Sequence, residues 1–458
     1  MESKHSRMEK AIVIGASISG LMAARALANH FTQVKIIERD VLPPPGEPRK
    51  GVPQGRHAHV LLAHGRDVLE SFFPGLTQEL ASLGAMVGDA SETMRWFANG
   101  TYTRNFHSGL VSVQVSRPML EGTIARRLRA MPNVTLLENH NAVELLTTPT
   151  SLGAEVRVIG VKVEDRSGPE PVETSLEADL VVDAAGRGSR CLTWLESLGF
   201  PRPEEEHIKM NLCYTTRVFR RQPEDAGGHS PLVILPTEKN MRGGTMLAVE
   251  GDRWIATLAG YLGDAPPMDM DEYLEFARSL EAPDCYEIMK TAEPLGEANQ
   301  YKYPASQRRH FEKLSRFPEG YLVHGDAICS FNPIYGQGMT TAASEGALLD
   351  ECLKAGLTGI ARRFFKRVSR ILDAPWTIAA GGDLAYPQVE GKRVLSGRLV
   401  GLYLTRLLAV ASEDSNLNLA FQKVTNLIEP PTRLFRPNVV LRVLFGSIKR
   451  YWNGVKPI

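Results

Sequence analysis

The run Gly15-Ala16-Ser17-Ile18-Ser19-Gly20 has the spacing of a backbone turn that wraps a diphosphate. A glycine at its first position makes the tight turn, and one at its last lets helix and strand pack closely. The helix that follows offers unpaired N–H groups to a pyrophosphate. Ser17 stands where the usual pattern has a second glycine; its small side chain still permits a close backbone approach, with less room. Glu38 falls about 20 residues beyond the turn, where a carboxylate can accept hydrogen bonds from ribose hydroxyls. Alone, this constellation fits any dinucleotide. A second one lies far downstream: Gly325-Asp326, then Phe331-Asn332-Pro333-Ile334-Tyr335, then Gly336-Gln337-Gly338-Met339. Asp326 at a strand end can hold a ribityl hydroxyl, and the glycines let backbone approach a planar ring. A helix starting near Gln337 directs its positive end at a ring that becomes anionic on reduction. Together the motifs select FAD. His57 and His59 form an H-x-H pair, but no third ligand is recognisable beside them, so no metal is expected.

Each motif needs elements on either side. Ala11-Ile12-Val13-Ile14 is an apolar run of the buried parallel-strand type, Leu21 to Asn29 predicts a helix, and Val34-Lys35-Ile36-Ile37 predicts the next strand. Gly320 to Val323 predicts the strand ending at Gly325-Asp326, and Thr340 to Leu353, dense in Ala and Leu, predicts the helix behind the glycines. Between Ile208 and Tyr261 the pattern changes. Residues 211–219, 232–235, 244–249 and 254–261 read as strands of a largely antiparallel sheet, and helical periodicity returns from Asp271 to Lys290. At 458 residues the chain should hold two or three co-folded units. With 43% hydrophobic and 23% charged residues and a net charge of +1, nothing points to nucleic acid as a partner. Five scattered cysteines without a CxxC argue against a disulfide frame and suit a reducing compartment. No run reaches the roughly 18 apolar residues of a membrane span, and Met1 to Lys10 lacks an apolar signal core, so a cytoplasmic location is expected. No acid follows Glu429, while Arg433, Arg436, Arg442, Lys449 and Arg450 alternate with apolar residues up to Trp452. This predicts an amphipathic helix, either packed with a solvated basic face or lying weakly on an anionic membrane surface.

GASISG (15–20), Glu38-Arg39, RKGVPQGRHAHVLL (49–62), SRPMLEGTIARRL with Arg117, DLVVDAAGRGSR (179–190) and GDAICSFNPIYGQGM (325–339) carry a resemblance across almost the whole chain. The sequence resembles the flavoprotein monooxygenases of the aromatic-hydroxylase type, and within them the branch that includes bacterial polyether epoxidases. The resemblance implies an α/β fold: a glutathione-reductase-like FAD-binding Rossmann domain, an antiparallel-sheet substrate domain and a helical C-terminal region. Residues 8–80, 112–195 and 300–360 would form the first, 81–111 and 196–299 the second, and 361–458 the third. Gly15, Ser17, Ser19 and Gly20 would hold the pyrophosphate, and Glu38 and Arg39 the adenosine ribose, with backbone near Val143 approaching adenine. Arg117 would reach the phosphate and ribityl region, Asp326 the ribityl or pyrophosphate region, and Gly336, Gly338 and Met339 the flavin. Arg56 or His57 would touch FAD, or serve in capping and packing. His59, Phe331, Tyr335 and Trp376, with Asp383 near the last, are candidate walls of the substrate pocket; loop and helix packing would account for them as well.

The implied activity is insertion of one oxygen atom from O2, by epoxidation or hydroxylation, into an apolar natural-product-like substrate. Many family members carry an Asp-Gly pair where this chain has Ala185-Gly186. A carboxylate that would help organise FAD and NADPH is missing there unless Asp183 replaces it, so electrons come either from NAD(P)H or from a separate flavin reductase. A flavin halogenase would show Trp-x-Trp-x-Ile-Pro, whereas this chain reads Asp252-Arg253-Trp254-Ile255-Ala256-Thr257. An alkene reductase resembling geranylgeranyl reductases, or a non-catalytic flavin-binding protein, are the remaining alternatives.

Overall fold

The structure, a computed structural model, describes residues 8–98, 100–149, 156–393 and 397–452. Met8–Ile14 is buried from Ala11 onward and takes the centre of a parallel sheet, as an apolar run without alternation must. The sheet order is Tyr321–Val323, Leu180–Asp183, Met8–Ile14, Phe31–Ile37, Val134–Leu137. Its register sets Ile14 beside Asp183 and Ile37, and Asp183 beside Val323. The strands therefore end in one row, and the segments starting at Gly15, Glu38, Ala184 and His324 emerge at the same carboxyl edge, where open α/β sheets bind their ligands. Behind it the helices Ile18–Ala28 and Gly338–Leu353 pack backbone to backbone: a Cβ on Gly346 would lie 2.8 Å from the Met22 Cβ. A three-stranded antiparallel meander (His140–Pro149, Val156–Asp165, Val172–Glu177) flanks this unit.

The second layer is an eight-stranded sheet ordered Cys329–Ser330, Asn299–Arg309, Glu205–Arg220, Arg253–Gly260, Arg242–Val249, Leu232–Ile234, Arg95–Ala98, Thr101–Tyr102. Its pairings are antiparallel apart from that of Leu232–Ile234 with Arg95–Ala98. Asn299–Arg309, whose residues from Gln300 onward the resemblance placed in the cofactor unit, pairs with Glu205–Arg220 in this sheet. Cys329–Ser330 adds to its edge, so the loop between Asp326 and Gly336 is stitched to the roof as well as to the cofactor unit. Helices Met270–Arg278 and Asp284–Met289 close a separate core around Phe219, Trp254, Tyr273 and Phe276.

The C-terminal region is helical. Ile360–Asp383 buries Phe365, Val368, Leu372, Trp376, Ala379 and Asp383 along one stripe. Gly397–Ala411, Ser415–Thr425 and Pro437–Trp452 then form a bundle with its own core of Leu407, Val410, Leu417, Leu434, Val439 and Val443. Among the described residues no helix is long and apolar enough to cross a membrane.

Candidate active site

Gly15 has φ +97°, a region closed to most side chains, and a Cβ there would sit 2.9 Å from the Ala184 carbonyl oxygen. A Cβ on Gly20 would lie 1.8 Å from the Gly15 carbonyl oxygen, so both glycines are required by space. Ser17 is the N-cap residue of the first helix, and its side chain makes no capping bond. Two carboxylates face the turn instead. The Ala16 N–H donates to Glu38 Oε2 (2.8 Å) and the Ile18 N–H to Glu121 Oε1 (2.9 Å). Each carboxylate has an arginine. Arg49 Nη1 lies 2.7 Å from Glu38 Oε2 and its Nη2 donates to the Ala16 carbonyl (3.0 Å); Arg117 Nε donates to Glu121 Oε1 (3.0 Å). All four side chains are largely buried. A cavity of about 30 Å³ lies among Ala16, Arg49, Gly55, Arg117, Glu121 and Gly122. An open cleft of about 320 Å³ shares Arg49 and Pro43 with it and runs past Arg39, Asp40, Lys50 and Asn139.

A helix N-terminus between two buried arginines, leading to an open cleft, fits a diphosphate with a nucleoside beyond it. Arg49 was not singled out from the sequence, although it lies in the quoted 49–62 segment; nor was Glu121. Glu38 stands at its expected strand end, but its Oε1 also accepts from the Asp40 N–H (3.1 Å). It braces the turn, with both oxygens engaged. Arg39 is exposed on the cleft wall and donates to the Gly51 carbonyl (3.2 Å). The Val143 carbonyl, placed near adenine by spacing, accepts from Arg190 (3.1 Å).

The two motifs meet. Ser19 Oγ lies 2.7 Å from His324 Nδ1, a buried contact between residues 305 apart, and a Cβ on Gly325 would be 2.2 Å from that same hydroxyl. The Gly325 N–H donates to Glu345 Oε2 (2.7 Å). Burial raises the Glu345 carboxyl to about 8 and lowers His324 to about 4, so the pair is neutral at pH 7. Asp326 is exposed to solvent, yet the protein packed around it raises its carboxyl against the pull of Arg117 and Arg187. At the start of the next helix Gly338 is exposed, and a Cβ there would touch nothing within 4 Å. Gln337 is 2% exposed, and its Oε1 has no partner among the described residues. An open helix start with an unpartnered acceptor beside it fits a planar ring with polar edges, the flavin of FAD. Gly336 (φ +65°) turns the chain against Val60, and Met339 is buried behind it.

The loop between these points is locked from above. Asp383 Oδ1 accepts from Asn332 Nδ2 (2.7 Å), the Tyr261 hydroxyl (2.8 Å) and the Tyr335 hydroxyl (3.1 Å). Asp383 is fully buried, which raises its carboxyl to about 6. Tyr335 is half-buried on the loop. Phe331 and Trp376 are both buried in the main core, their ring centroids 6.4 Å apart. His57 Nδ1 lies 2.8 Å from Thr216 Oγ1 and its ring stands edge-on to Tyr214. His59 Nδ1 lies 2.9 Å from the His57 carbonyl, and Arg117 Nη1 lies 3.3 Å from its Nε2. The His59 Nδ1–H therefore donates to that carbonyl, and Nε2 accepts from Arg117. Burial lowers His57 to about 4 and His59 to about 3, helped by Arg56 and Arg117 respectively. Arg56 is exposed at the end of the short helix Pro53–Arg56. Asp183 does not stand in for the missing acid. It is fully buried, Oδ1 accepts from the Ala185 N–H (3.0 Å), and Oδ2 accepts from Ser189 (2.7 Å) and Tyr321 (2.9 Å). Ala185 itself is exposed.

The fold and the paired motifs define a flavoprotein of the glutathione-reductase-like type. Residues 8–365 match the family described as FAD binding domain, and the chain belongs to that family; FAD is its cofactor. It is 33% identical over 388 residues to Protein Rv3254 of Mycobacterium tuberculosis, covering 82% of this chain and 81% of that one. Its fold is shared with a flavoprotein/dehydrogenase from Cytophaga hutchinsonii (TM-score 0.68, 14% identity, 98% of this chain and 100% of that one). It is also shared with p-nitrophenol 4-monooxygenase PnpA from Pseudomonas putida (TM-score 0.65, 14% identity, 92% and 98%).

Proposed function

We propose that the protein is an FAD-dependent monooxygenase that inserts one oxygen atom of O2 into a small apolar organic substrate, as an epoxide or a hydroxyl. The observation that carries this reading is the junction of the motifs. Ser19 against His324 joins the diphosphate turn to the Gly325–Met339 loop, beneath an antiparallel roof that also holds the loop's edge. Arg49 and Arg117 would hold the diphosphate, Asp326 the ribityl chain, and Gln337 and Gly338 the ring. When bound and reduced, the flavin supplies O2 activation and oxygen transfer. The chain orients the substrate and excludes water.

The lack of a ready proton acceptor among His57, His59 and the nearby tyrosines supports an alkene as substrate. Burial, the leading cause for each group, makes His57 and His59 poor proton acceptors and raises the tyrosines Tyr214, Tyr303 and Tyr335 above their usual range. Epoxidation needs no deprotonation of the substrate, whereas hydroxylation of a phenol gains from a base. The exposed Ala185 and the fully engaged Asp183 bring no free carboxylate to the expected position. This favours electrons from a separate flavin reductase, or NAD(P)H docking by other contacts. The test is anaerobic reduction of the FAD-loaded protein by NADH, NADPH or a flavin reductase, then isotope-labelled O2 with apolar alkenes, read by product mass. One labelled oxygen atom in the product supports the proposal. Gain of two hydrogens without oxygen would make the protein an alkene reductase, and no turnover with any donor would make it a flavin carrier.

A further inference from the structure

We propose that the C-terminal helix docks the protein on an anionic lipid surface, lying in the plane of the headgroups. Pro437–Trp452 packs on its bundle through Val439 and Val443, and Gly446 lets it approach Val410 so closely that a Cβ would be 2.3 Å away. The opposite side is also apolar. Leu441, Leu444, Phe445, Ile448, Tyr451 and Trp452 are 51%, 53%, 68%, 54%, 72% and 81% exposed. Their spacing of three and four residues keeps them on one face. A helix apolar on two opposite faces has satisfied only one of them within the described chain. Leu399 and Leu402 on the neighbouring helix Gly397–Ala411 are also exposed, at 71% and 59%.

Charge identifies the occupant. Residues 397–452 contain eight Lys and Arg against three Asp and Glu, a local +5 in a chain whose net charge is +1. All three acids are already paired, Glu429 with Arg433, Asp414 with Arg442 and Glu413 with Arg450. Arg406, Arg436 and Lys449 are exposed and make no ion pair among the described residues. An apolar stripe bordered by unneutralised cations complements acyl chains beneath anionic headgroups. A second copy would bring the same positive charge to the contact, which opposes self-association. Tyr451 and Trp452, the most exposed of the stripe, carry rings of the kind that settle at headgroup level. At 16 residues the helix is about 24 Å long, short of the roughly 30 Å hydrocarbon core, so it lies flat.

The experiment is flotation of the full-length FAD-loaded protein with vesicles of phosphatidylcholine and phosphatidylglycerol in a two-to-one ratio, against pure phosphatidylcholine. The expected result is recovery with the anionic vesicles only, falling as salt is raised. Phe445→Glu should abolish it, and Arg436→Ser and Lys449→Ser should each weaken it about fivefold. All three variants should keep the flavin absorbance of the parent, because none of these residues approaches the cofactor site. Absence of flotation at low salt, or equal binding to neutral vesicles, would overturn the proposal. So would a dimer, seen by sedimentation, that dissociates in Phe445→Glu, which would make a second copy the occupant.

Discussion

Replacing Asp383 by Asn separates the lock on the flavin loop from the charge inside it. The carboxylate is fully buried, one oxygen serves Tyr261, Asn332 and Tyr335, and the other has no partner among the described residues. An amide keeps the acceptor that the three donors need and puts an NH2 where no donor pointed. In the unfolded chain the carboxyl ionises near 3.8, and burial raises it to about 6 in the fold. A raised carboxyl means that the native state holds the proton more tightly. Its contribution to stability is full below the unfolded value, is lost as the pH climbs toward 6, and is constant above that. Two units correspond to about 3 kcal/mol. The variant carries no such loss, so its stability relative to the parent should improve by about 3 kcal/mol between roughly pH 3 and pH 7. Thermal unfolding of the FAD-loaded proteins across that range reads the difference directly. Asp383→Ala behaves otherwise: it removes the acceptor of the buried Tyr261 hydroxyl and Asn332 amide, at about 1–3 kcal/mol each, and of the half-buried Tyr335, so it lowers stability at every pH and frees the loop. It should also lower the product formed per O2 consumed, a readout that a purely structural role elsewhere would not move. A parent-to-amide difference that stays flat with pH, or moves the other way, would refute the buried ionised carboxylate and the reasoning built on it.

Gly20→Ala drives a methyl into the Gly15 carbonyl, which is backbone and cannot swing aside; the protein should purify without its yellow colour, read as the ratio of flavin to protein absorbance. Arg49→Ala leaves Glu38 as a buried charge without its cation, at a cost of roughly 3–5 kcal/mol, and should weaken FAD retention in a titration of the apoprotein; unchanged retention would remove Arg49 from the diphosphate site. Glu345→Gln keeps an acceptor for the Gly325 N–H. Because burial raises Glu345 to about 8 from 4.5, the parent loses stability as pH rises between those values, and the variant should gain on it over that window and no further above it. A variant that loses ground there contradicts a neutral Glu345.

The parts of this fold that the sequence discloses are those coded locally. Apolar runs without alternation disclosed the central parallel strands, the change of pattern disclosed the strand segments from Asn211 to Tyr261, and glycine spacing disclosed both turns. What depends on one segment folding onto a distant one was not legible. Asn299–Arg309 has no feature of its own that assigns it to the large sheet; its partner Glu205–Arg220 does so through register. Glu38 sits at the expected strand end, but whether its oxygens face a ribose or the turn is decided by Arg49, which reaches it only when the loop from Arg39 to Gly51 doubles back.

The buried acids mark the border between these cases. Glu345 is a single acid within the buried face of an Ala-rich helix, and Asp383 falls on the stripe that Phe365, Val368, Leu372, Trp376 and Ala379 define at intervals of three and four. Periodicity alone says that a charge on such a stripe goes inside, and physics adds that it must then meet donors or change its protonation. Both outcomes occur here: Asp383 meets three donors and Glu345 takes up a proton at neutral pH. Periodicity cannot say which donors arrive, since Tyr261 comes from the roof, and Asn332 and Tyr335 come from the flavin loop. The same logic reads the opposite error on the C-terminal helix. Its outward stripe is apolar where a surface should be polar, and that mismatch is the observation on which the proposed lipid contact rests.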